Sequence, residues 1–337
     1  MADSDAVILP QITSELFEEI EDEWAELWAR SGRNPFVHPQ WVSTWRRHAT
    51  NAHSRPAALS EVFLTVRLDT QLVGVAALEL DQQGARQMGD PDVTDYAFPL
   101  ALPGEEDTVA GGILEWLMED LTMGLDLWGV PADNPMRPAF IAAAERFGWA
   151  YDEEHEAICP RVELPMDFET YVASLGKKDR HELRRKLRNL HAAGEVAFES
   201  VTGAERILAR FDRFLEMMRD SREDKDEFLT PEREAFFRDL AQTFGALEIA
   251  RLGALSLDGR DVAMIFYFED EETSYLYNSG YDPEFAHLAV GLLSKALAIE
   301  DAIKRGKKVF DFLRGEEDYK RRLGGVPHEV LTLHLRG

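Results

Sequence analysis

Apolar side chains recur every three or four positions at residues 292, 293, 296, 297, 299 and 303. This spacing is the period of a helix with one buried face, and it predicts a helix over Val290–Arg305. Gly306 follows, where a residue in the left-handed conformation commonly ends a helix. The segments on either side, rich in aromatic and β-branched residues, predict strands at Thr273–Gly280 and Lys308–Leu313. Two strands joined by such a helix favour a parallel crossover.

The loop Tyr281–Ala289 leads from the first of these strands into the helix. The first amides of a helix have no acceptor within it, and the helix dipole adds positive potential there. The backbone of about Val290–Ser294 is therefore a predicted phosphate site. Gly291 either lets the backbone approach a phosphate closely or only relieves packing. His287, in the loop, is either a base or phosphate donor, or a residue that fixes the loop by a hydrogen bond.

The remaining pattern predicts the same order of helices and strands twice along the chain. In the second half we expect helices at Asp167–Leu175, Lys178–His191, Ala204–Ser221 and Glu232–Phe244, and strands at Glu195–Val201, Ala246–Leu257, Arg260–Phe268 and His328–Leu335, the last closing the sheet. A short basic segment follows the second crossover strand at Asp318–Arg322. In the first half we expect helices at Ser14–Arg30, Pro39–His48, Thr108–Met123 and Pro135–Phe147, and strands at Glu61–Leu68, Gln71–Leu80, Leu125–Val130 and Ile158–Leu164. Asp220–Glu227 is predicted to be a mobile loop. The prediction is an α/β chain, of the α+β mixed-sheet kind, with two structurally similar domains, 1–166 and 167–337.

Composition narrows the function classes. The chain has 337 residues and a formal net charge of −26, which argues against broad binding to nucleic acid or to an anionic membrane. No long apolar run or signal peptide is visible, so we expect a cytoplasmic protein without membrane insertion. The single cysteine, Cys159, excludes an intrachain disulfide, and the histidines show no metal-binding spacing. We expect no metal site.

One segment departs from the acidic average. Residues 177–191, KKDRHELRRKLRNLH, contain seven Lys or Arg residues and two acidic ones. One interpretation is a solvated helix that buries only its leucines. The other is a helix that faces an anion beside a cleft, with Arg180, Arg184 and Arg185 as substrate-binding residues.

Particular motifs resemble the acyl-CoA N-acyltransferase (GNAT) superfamily. The stretches YNSGYDPEFAHLAVGLL (277–293) and VFDFLRGEEDYKRRLGG (309–325) look like the CelD/BcsL-type branch of it. KKDRHELRRKLRNL (177–190) before a Gly-Glu-Val strand resembles the second domain of FemABX-type aminoacyl ligases, which carry tandem GNAT-like domains. NPFVHPQWVSTWRRH (34–48) and VTDY (93–96) look like their degenerate first domain.

The resemblance implies a function. It implies an N-acyltransferase that uses acetyl-CoA or another acyl-CoA and acylates an amine of a small molecule or of a cell-envelope or polysaccharide precursor. The superfamily's Gln/Arg-x-x-Gly-x-Gly/Ala loop is represented by Ala289–Leu292, which holds one glycine. The implied cofactor-binding residues are Asn278, Ser279, His287, Ala289, Val290, Gly291, Leu292, Leu293 and Ser294.

The resemblance also implies catalytic roles. GNAT folds place a bulge in the strand that meets the cofactor, here near Tyr277–Ser279, where an amide can bind the thioester oxygen. Tyr319 matches a tyrosine that protonates the departing thiolate, and Lys320 matches a FemABX lysine that is thought to stabilise the transition state. Tyr275, on the same strand face as Tyr277, is a candidate for substrate binding. Core packing is the alternative for both of these tyrosines.

Asp311 lies between two phenylalanines in a predicted strand, and a carboxylate in such surroundings needs a partner. Arg314 and Lys320 are candidate partners, and Arg314 is also a candidate substrate ligand. Asp311 is then either part of a structural ion pair or a base with a raised pKa.

Three functions remain open. They are an acyl-CoA-dependent N-acyltransferase, a FemABX-like ligase that uses aminoacyl-tRNA, and a non-catalytic binding module with the same fold. The acidic net charge disfavours tRNA, so acyl-CoA and a small-molecule amine are the expected partners. The oligomeric state is not predicted.

Overall fold

The computed structural model describes residues 9–49, 59–119, 124–221 and 227–337. Most of the predicted loop Asp220–Glu227 and the end of the predicted helix Thr108–Met123 lie outside them. The described residues of Met1–Ser43, His53–Ala157 and Glu329–Gly337 form one compact unit, and those of Thr44–Ala52 and Ile158–His328 form a second. These units interleave along the chain, and the division into domains 1–166 and 167–337 stays a prediction.

The described helices and strands follow one another in mixed order. The helices are α1 (Phe17–Ala29), α2 (Pro39–Ala49), α3 (Glu106–Glu119), α4 (Met136–Phe147), α5 (Phe168–Ser174), α6 (Lys177–Ala193), α7 (Ala204–Ser221), α8 (Pro231–Ala246), α9 (Val290–Lys304) and α10 (Asp318–Arg322). The strands are β1 (Pro10–Glu15), β2 (Ser60–Leu68), β3 (Gln71–Leu80), β4 (Ala85–Gln87), β5 (Leu100–Ala101), β6 (Gly124–Pro131), β7 (Ala150–Ile158), β8 (Arg161–Glu163), β9 (Val196–Val201), β10 (Ala250–Leu257), β11 (Arg260–Glu269), β12 (Thr273–Tyr281), β13 (Val309–Asp311) and β14 (Glu329–Arg336). Short 3₁₀ helices cover Pro35–Val37 and Pro283–Leu288.

The first unit contains a mixed sheet in the order β1-β2-β3-β4-β6-β14-β7, with β5 beside β3. Strands β4 and β6 run parallel, while β2 and β3 pair antiparallel. The core of this unit is the apolar side of α3 and α4 together with the sheet, for example Ile113, Phe140 and Leu127.

Three predictions for this unit are wrong. The predicted helix Ser14–Arg30 begins too early, because Ser14 lies in β1 and α1 begins only at Phe17 after the extended residue Leu16. The predicted strand Ile158–Leu164 is divided between β7 and β8, which belong to different sheets. The last strand pairs with β6 in the first sheet, so it does not close the second one.

The second unit has a six-stranded mixed sheet in the order β8-β13-β12-β11-β10-β9. One face carries phenylalanines that pack against α7 and α8, such as Phe266 on Phe211 and Phe268 on Phe244. The opposite face packs against α9 through residues such as Ile265 and Leu293. The predicted mixed α/β class is confirmed.

The predicted crossover is also confirmed, because β12, α9 and β13 follow in order and the two strands pair in parallel. The parallel register covers only Thr273–Tyr275, the start of β12. Strand β12 runs on to Tyr281 along β11 alone, and its register with β11 shifts between Phe266 and Tyr267. Tyr277 is therefore the additional residue of a bulge, where the sequence predicted one.

A buried carboxylate fixes the other end of these strands. Glu269 is 7% exposed and accepts hydrogen bonds from Arg251, Arg305 and Ser274. Burial alone would raise the pKa of Glu269, but the hydrogen bonds and positive charge of Arg305 outweigh it and lower that pKa. The cluster joins the end of β11 to the end of α9 by charge-assisted bonds.

His38 gives the first unit a pH-dependent stability. It is 5% exposed, its ring packs edge-on against Trp28, and its Nδ1 accepts a hydrogen bond from the Gln40 amide at 3.0 Å. Burial lowers the pKa of His38 from 6.5 to about 4. Between these two pH values the unfolded chain binds a proton that the folded chain does not. The stability that neutral His38 contributes is complete above pH 6.5 and is lost as the pH falls toward 4.

We therefore expect the free energy of unfolding to fall by roughly 2 kcal/mol between about pH 7.5 and about pH 5 through this residue. Urea denaturation at the two pH values measures this, and His38→Asn should show a correspondingly weaker dependence. His155→Asn, at an exposed position of β7, is the matched control. Identical pH dependence in His38→Asn and wild type would contradict the expectation.

Candidate active site

A cavity of about 270 Å³ opens in the second unit where β12 runs past the end of its pairing with β13. Five residues that the sequence singled out line it: Ser279, Ala289, Gly291, Leu292 and Tyr319. They come from the end of β12, the first turn of α9 and the short helix α10. The structure thus brings the predicted phosphate turn and the predicted proton donor to one cavity.

Sequence reasoning missed five further lining residues: Ser221, Tyr281, Ala286, Lys295 and Glu317. Of these, Lys295 had a signal in the sequence. It lies three residues after Leu292 and four before Ile299, at the edge of the apolar stripe of the helix. A lysine at that position is expected to be partly enclosed, and this one is only 6% exposed.

The first turn of α9 presents free amides. Ala289 precedes the helix in the left-handed conformation with φ 57°, and its carbonyl accepts hydrogen bonds from the amides of both Leu292 and Leu293 at 3.0 Å. The amides of Val290 and Gly291 have no acceptor among the described residues. Of the predicted backbone donors Val290–Ser294, the amides of Val290 and Gly291 are thus the two that remain available to a phosphate. The side chains of Val290, Leu293 and Ser294 are buried.

Gly291 has a packing reason to be glycine. A Cβ atom at this position would lie 2.9 Å from the ring of Tyr281, a contact that real side chains do not make. The structure thus supports the packing alternative for Gly291, and its closeness to a phosphate stays a prediction.

Tyr319 lies on the other side of the cavity. Its ring packs edge-on against Phe312 at 6.1 Å, and the Nζ of Lys295 is 5.0 Å from its centroid. The same Nζ donates a hydrogen bond to the carbonyl of Gly291 at 2.8 Å. Lys295 therefore connects the first turn of α9 with the aromatic ring that the sequence assigned to proton transfer.

Comparison with known proteins assigns the segment that holds this cavity. Residues 177–321 match the family model described as acetyltransferase (GNAT) domain. Over these residues the chain is similar to GNAT domains. The resemblance recognised in the sequence is thereby confirmed. No curated protein matches the sequence.

Solved structures match over nearly the whole chain. FemX is 12% identical with a TM-score of 0.63, covering 96% of each chain. A conserved protein of unknown function from Bacteroides thetaiotaomicron VPI-5482 is 13% identical with a TM-score of 0.62, covering 98% of this chain and 100% of that one. The C-terminal domain of a putative lysylphosphatidylglycerol synthetase from Agrobacterium fabrum is 8% identical with a TM-score of 0.58, covering 96% of this chain and 92% of that one. At these identities the similarity shows the fold alone.

Lys320, in the segment that matches the GNAT model, holds the backbone of a neighbouring loop. Its side chain is 3% exposed and lies 3.0 Å from the Oε2 of Glu317. Its Nζ also donates to the carbonyls of Leu313 and Arg314, at 3.1 and 2.5 Å. An ammonium group has three N–H donors, and these contacts account for three. In this structure Lys320 stabilises the loop, and its predicted role in the transition state stays a prediction.

Asp311 has a partner that the sequence did not suggest. Its Oδ2 lies 3.0 Å from the Nε of Arg161, and its Oδ1 accepts the amide of Leu313 at 2.7 Å. The carboxylate is 1% exposed, and both oxygens are used. This geometry is that of a structural ion pair. The partner is Arg161 of β8 and not one of the two residues proposed from the sequence.

The bulge strand places its tyrosines on the phenylalanine face of the sheet. Tyr277 packs edge-on against Phe237 and Phe268 at 5.4 and 5.2 Å. The hydroxyl of Tyr275 donates to Asp270 at 2.5 Å, and burial raises the pKa of this phenol well above 10. These contacts correspond to the packing alternative for both tyrosines. In Asn278, next to the bulge, the side-chain Oδ1 accepts the amide of Ser279 at 3.0 Å.

The remaining predicted ligands lie outside the cavity lining. His287 is exposed and its Nδ1 lies 3.1 Å from the carbonyl of Glu284, which corresponds to the loop-fixing alternative. On α6, Arg180 donates to the carbonyl of Ala173 at the end of α5. Arg184 pairs with Glu169 and Arg185 with Glu182. The carbonyl of Arg314 accepts from Lys320. A role in substrate binding stays a prediction for these arginines.

Neither a metal cluster nor a membrane helix is found in the parts of the chain that the structure describes. There, no three His, Cys, Asp or Glu side chains are grouped to hold a metal ion. No helix of those parts combines the length and apolarity that crossing a bilayer requires.

We expect Lys320→Met to lower the free energy of unfolding by about 3 kcal/mol, because two buried carbonyls lose their donor. Denaturant titration measures the change. Lys304→Met removes a lysine that is 69% exposed and pairs only with Glu300 four residues before it, so it should change stability by less than about 0.5 kcal/mol. Equal effects of the two substitutions would show that Lys320 does not hold the loop.

Proposed function

We propose that this chain is an acyl-CoA-dependent N-acyltransferase with acetyl-CoA as the donor. The observation that carries the proposal is the cavity of the GNAT domain, in which free amides of α9 and the phenol of Tyr319 line the same space. The acceptor is the amine of a small molecule or of a cell-envelope or polysaccharide precursor. That acceptor class rests on the family resemblance.

The first turn of α9 suits the diphosphate of coenzyme A. Two unused amides, those of Val290 and Gly291, lie at the positive end of the helix dipole. The positive end of the helix dipole favours an anionic ligand at this turn, although the chain has a net charge of −26.

The reaction then needs an oxyanion donor and an acid. The bulge at Tyr277 lies two residues before Ser279, which lines the cavity. The Ser279 amide already donates to the side chain of Asn278, so another amide of the bulge would stabilise the thioester oxygen as the amine attacks. When the carbon–sulfur bond breaks, Tyr319 gives its phenolic proton to the thiolate. Phe312 and Lys295 hold the Tyr319 ring from two sides.

Binding of acetyl-CoA is the first test. At about a hundred times its Kd, acetyl-CoA should stabilise the protein by about 2.7 kcal/mol, measured as a shift of the urea or thermal transition. Acetyl-pantetheine, which lacks the diphosphate and the nucleotide, should need a concentration about a hundredfold higher for the same shift. No stabilisation by acetyl-CoA would favour a non-catalytic module. Binding of a charged tRNA without binding of acetyl-CoA would favour a ligase.

The role of Tyr319 gives a separate expectation. Tyr319→Phe should lower kcat by about a hundredfold or more, because the thiolate then leaves without a positioned acid. The Kd for coenzyme A should change little, since the ring and its packing are kept. Steady-state kinetics and calorimetry measure both, with Tyr151→Phe at an exposed position as the control. Unchanged turnover in Tyr319→Phe would remove Tyr319 from the mechanism.

A further inference from the structure

Lys295 is a buried lysine on the wall of the cavity. It is 6% exposed, in the second turn of α9, and it lines the cavity. Lysine is almost never this deeply buried unless its charge is paired, because desolvating an ammonium group is costly. The packing of α9 does not need it, since the core side of the helix is provided by residues such as Ala296 and Ile299.

The position of the ammonium group is fixed from two sides. The carbonyl of Gly291 accepts a hydrogen bond from Nζ at 2.8 Å, which is the short i to i−4 reach of a lysine directed toward the start of its helix. The ring centroid of Tyr319 lies 5.0 Å from the same nitrogen. A cation at this distance is attracted to the ring and interacts still more strongly with a phenolate.

We propose that Lys295 is a positioning residue for Tyr319 that stabilises its phenolate form. The inference rests on the proposed function, because it concerns the proton that Tyr319 gives to the thiolate. It adds a residue that neither the family motifs nor the sequence pattern assigned to the reaction.

The proton balance shows where the charge is needed. The amine nitrogen forms a bond to the thioester carbon, the carbon–sulfur bond breaks, and its electron pair goes to sulfur. Sulfur takes the proton of Tyr319, which becomes a phenolate beside the Lys295 ammonium. The amine nitrogen loses one proton to solvent, and the phenolate regains one from solvent. The products are the N-acyl amine and the free thiol of coenzyme A.

Other charged groups near Tyr319 do not replace Lys295 in this role. Glu317, which also lines the cavity, is negative and pairs with Lys320 at 3.0 Å. Asp318, on the same helix as Tyr319, pairs with Arg321 and Arg322. Tyr281 is the other titratable lining residue. Lys295 is thus the cation that the described structure places against the ring itself.

A titration of the free protein tests the electrostatic part without any turnover. Full-length protein with ¹³C-labelled tyrosine is titrated by NMR, and Tyr319→Phe identifies the signal. Lys295→Met and Lys295→Gln should each raise the pKa of the Tyr319 phenol by about one unit or more, while Lys295→Arg should keep it near the wild-type value. Lys295→Gln retains a donor for the Gly291 carbonyl, so it separates the charge from the hydrogen bond.

Kinetics tests the link to the reaction. Lys295→Gln should lower kcat about tenfold and move the pH profile of kcat to higher pH, as the phenol pKa rises. The Kd of coenzyme A should change less than about threefold. In the Tyr319→Phe background the same substitution should have no further effect on kcat, because the two residues act as one unit.

Two results would overturn the inference. One is an unchanged Tyr319 pKa in folded Lys295→Gln and Lys295→Met. The other is a large loss of coenzyme A affinity in Lys295→Gln, together with an effect on kcat that adds fully to that of Tyr319→Phe. That combination would assign Lys295 to binding of the diphosphate. Absence of acetyl-CoA binding by the wild type would instead remove the proposed function, and the titration would still decide whether Lys295 and Tyr319 are coupled.

Discussion

The early separation of β12 from β13 is the constraint on which the rest of the site depends. The two strands are joined in parallel register only over Thr273–Tyr275, although β12 is nine residues long. Beyond that point the sheet is open between β12 and the segment that follows β13. The first turn of α9 and the ring of Tyr319 face each other across this opening. A β13 that paired along the full length of β12 would occupy this space and leave no room for a thioester.

Two buried lysine charges lie at or beside this opening. The chain is strongly acidic, yet Lys295 and Lys320 are among the few buried charged side chains in its described part, and both lie at or beside the cavity. The many arginines of α6, which attracted attention in the sequence, are instead engaged with Glu169, Glu182 and the end of α5. A cluster of charged residues in the sequence is therefore weaker evidence for a binding site than a single buried charge. Exposed ion pairs are screened by water and interact weakly.

The sequence predicted most of the second unit because its signals are local. The period of α9, the threonine cap of α8 and the Asp258–Gly259 turn are each determined by neighbouring residues. The bulge at Tyr277 was located as well. The pairing of β14 with the first sheet could not be predicted, because it joins residues about two hundred positions apart. The place of Lys295 in the cavity lining was missed for a related reason. The helix period shows which residues of α9 face the core, but not which distant segment packs beside the edge of its apolar stripe.

Two non-glycine residues in the left-handed conformation lie in the two segments that resemble the family motifs. Ala289 and Leu313 have φ 57° and 55°, a conformation that costs a non-glycine residue about 1–2 kcal/mol. Ala289 keeps a left-handed turn at the start of α9 without a glycine. Leu313 is held by the carboxylate of Asp311 on its amide and by Lys320 on its carbonyl. Such strain persists only where surrounding bonds fix it. Asp311 and Lys320 thus fix the path of the chain that leads to Tyr319.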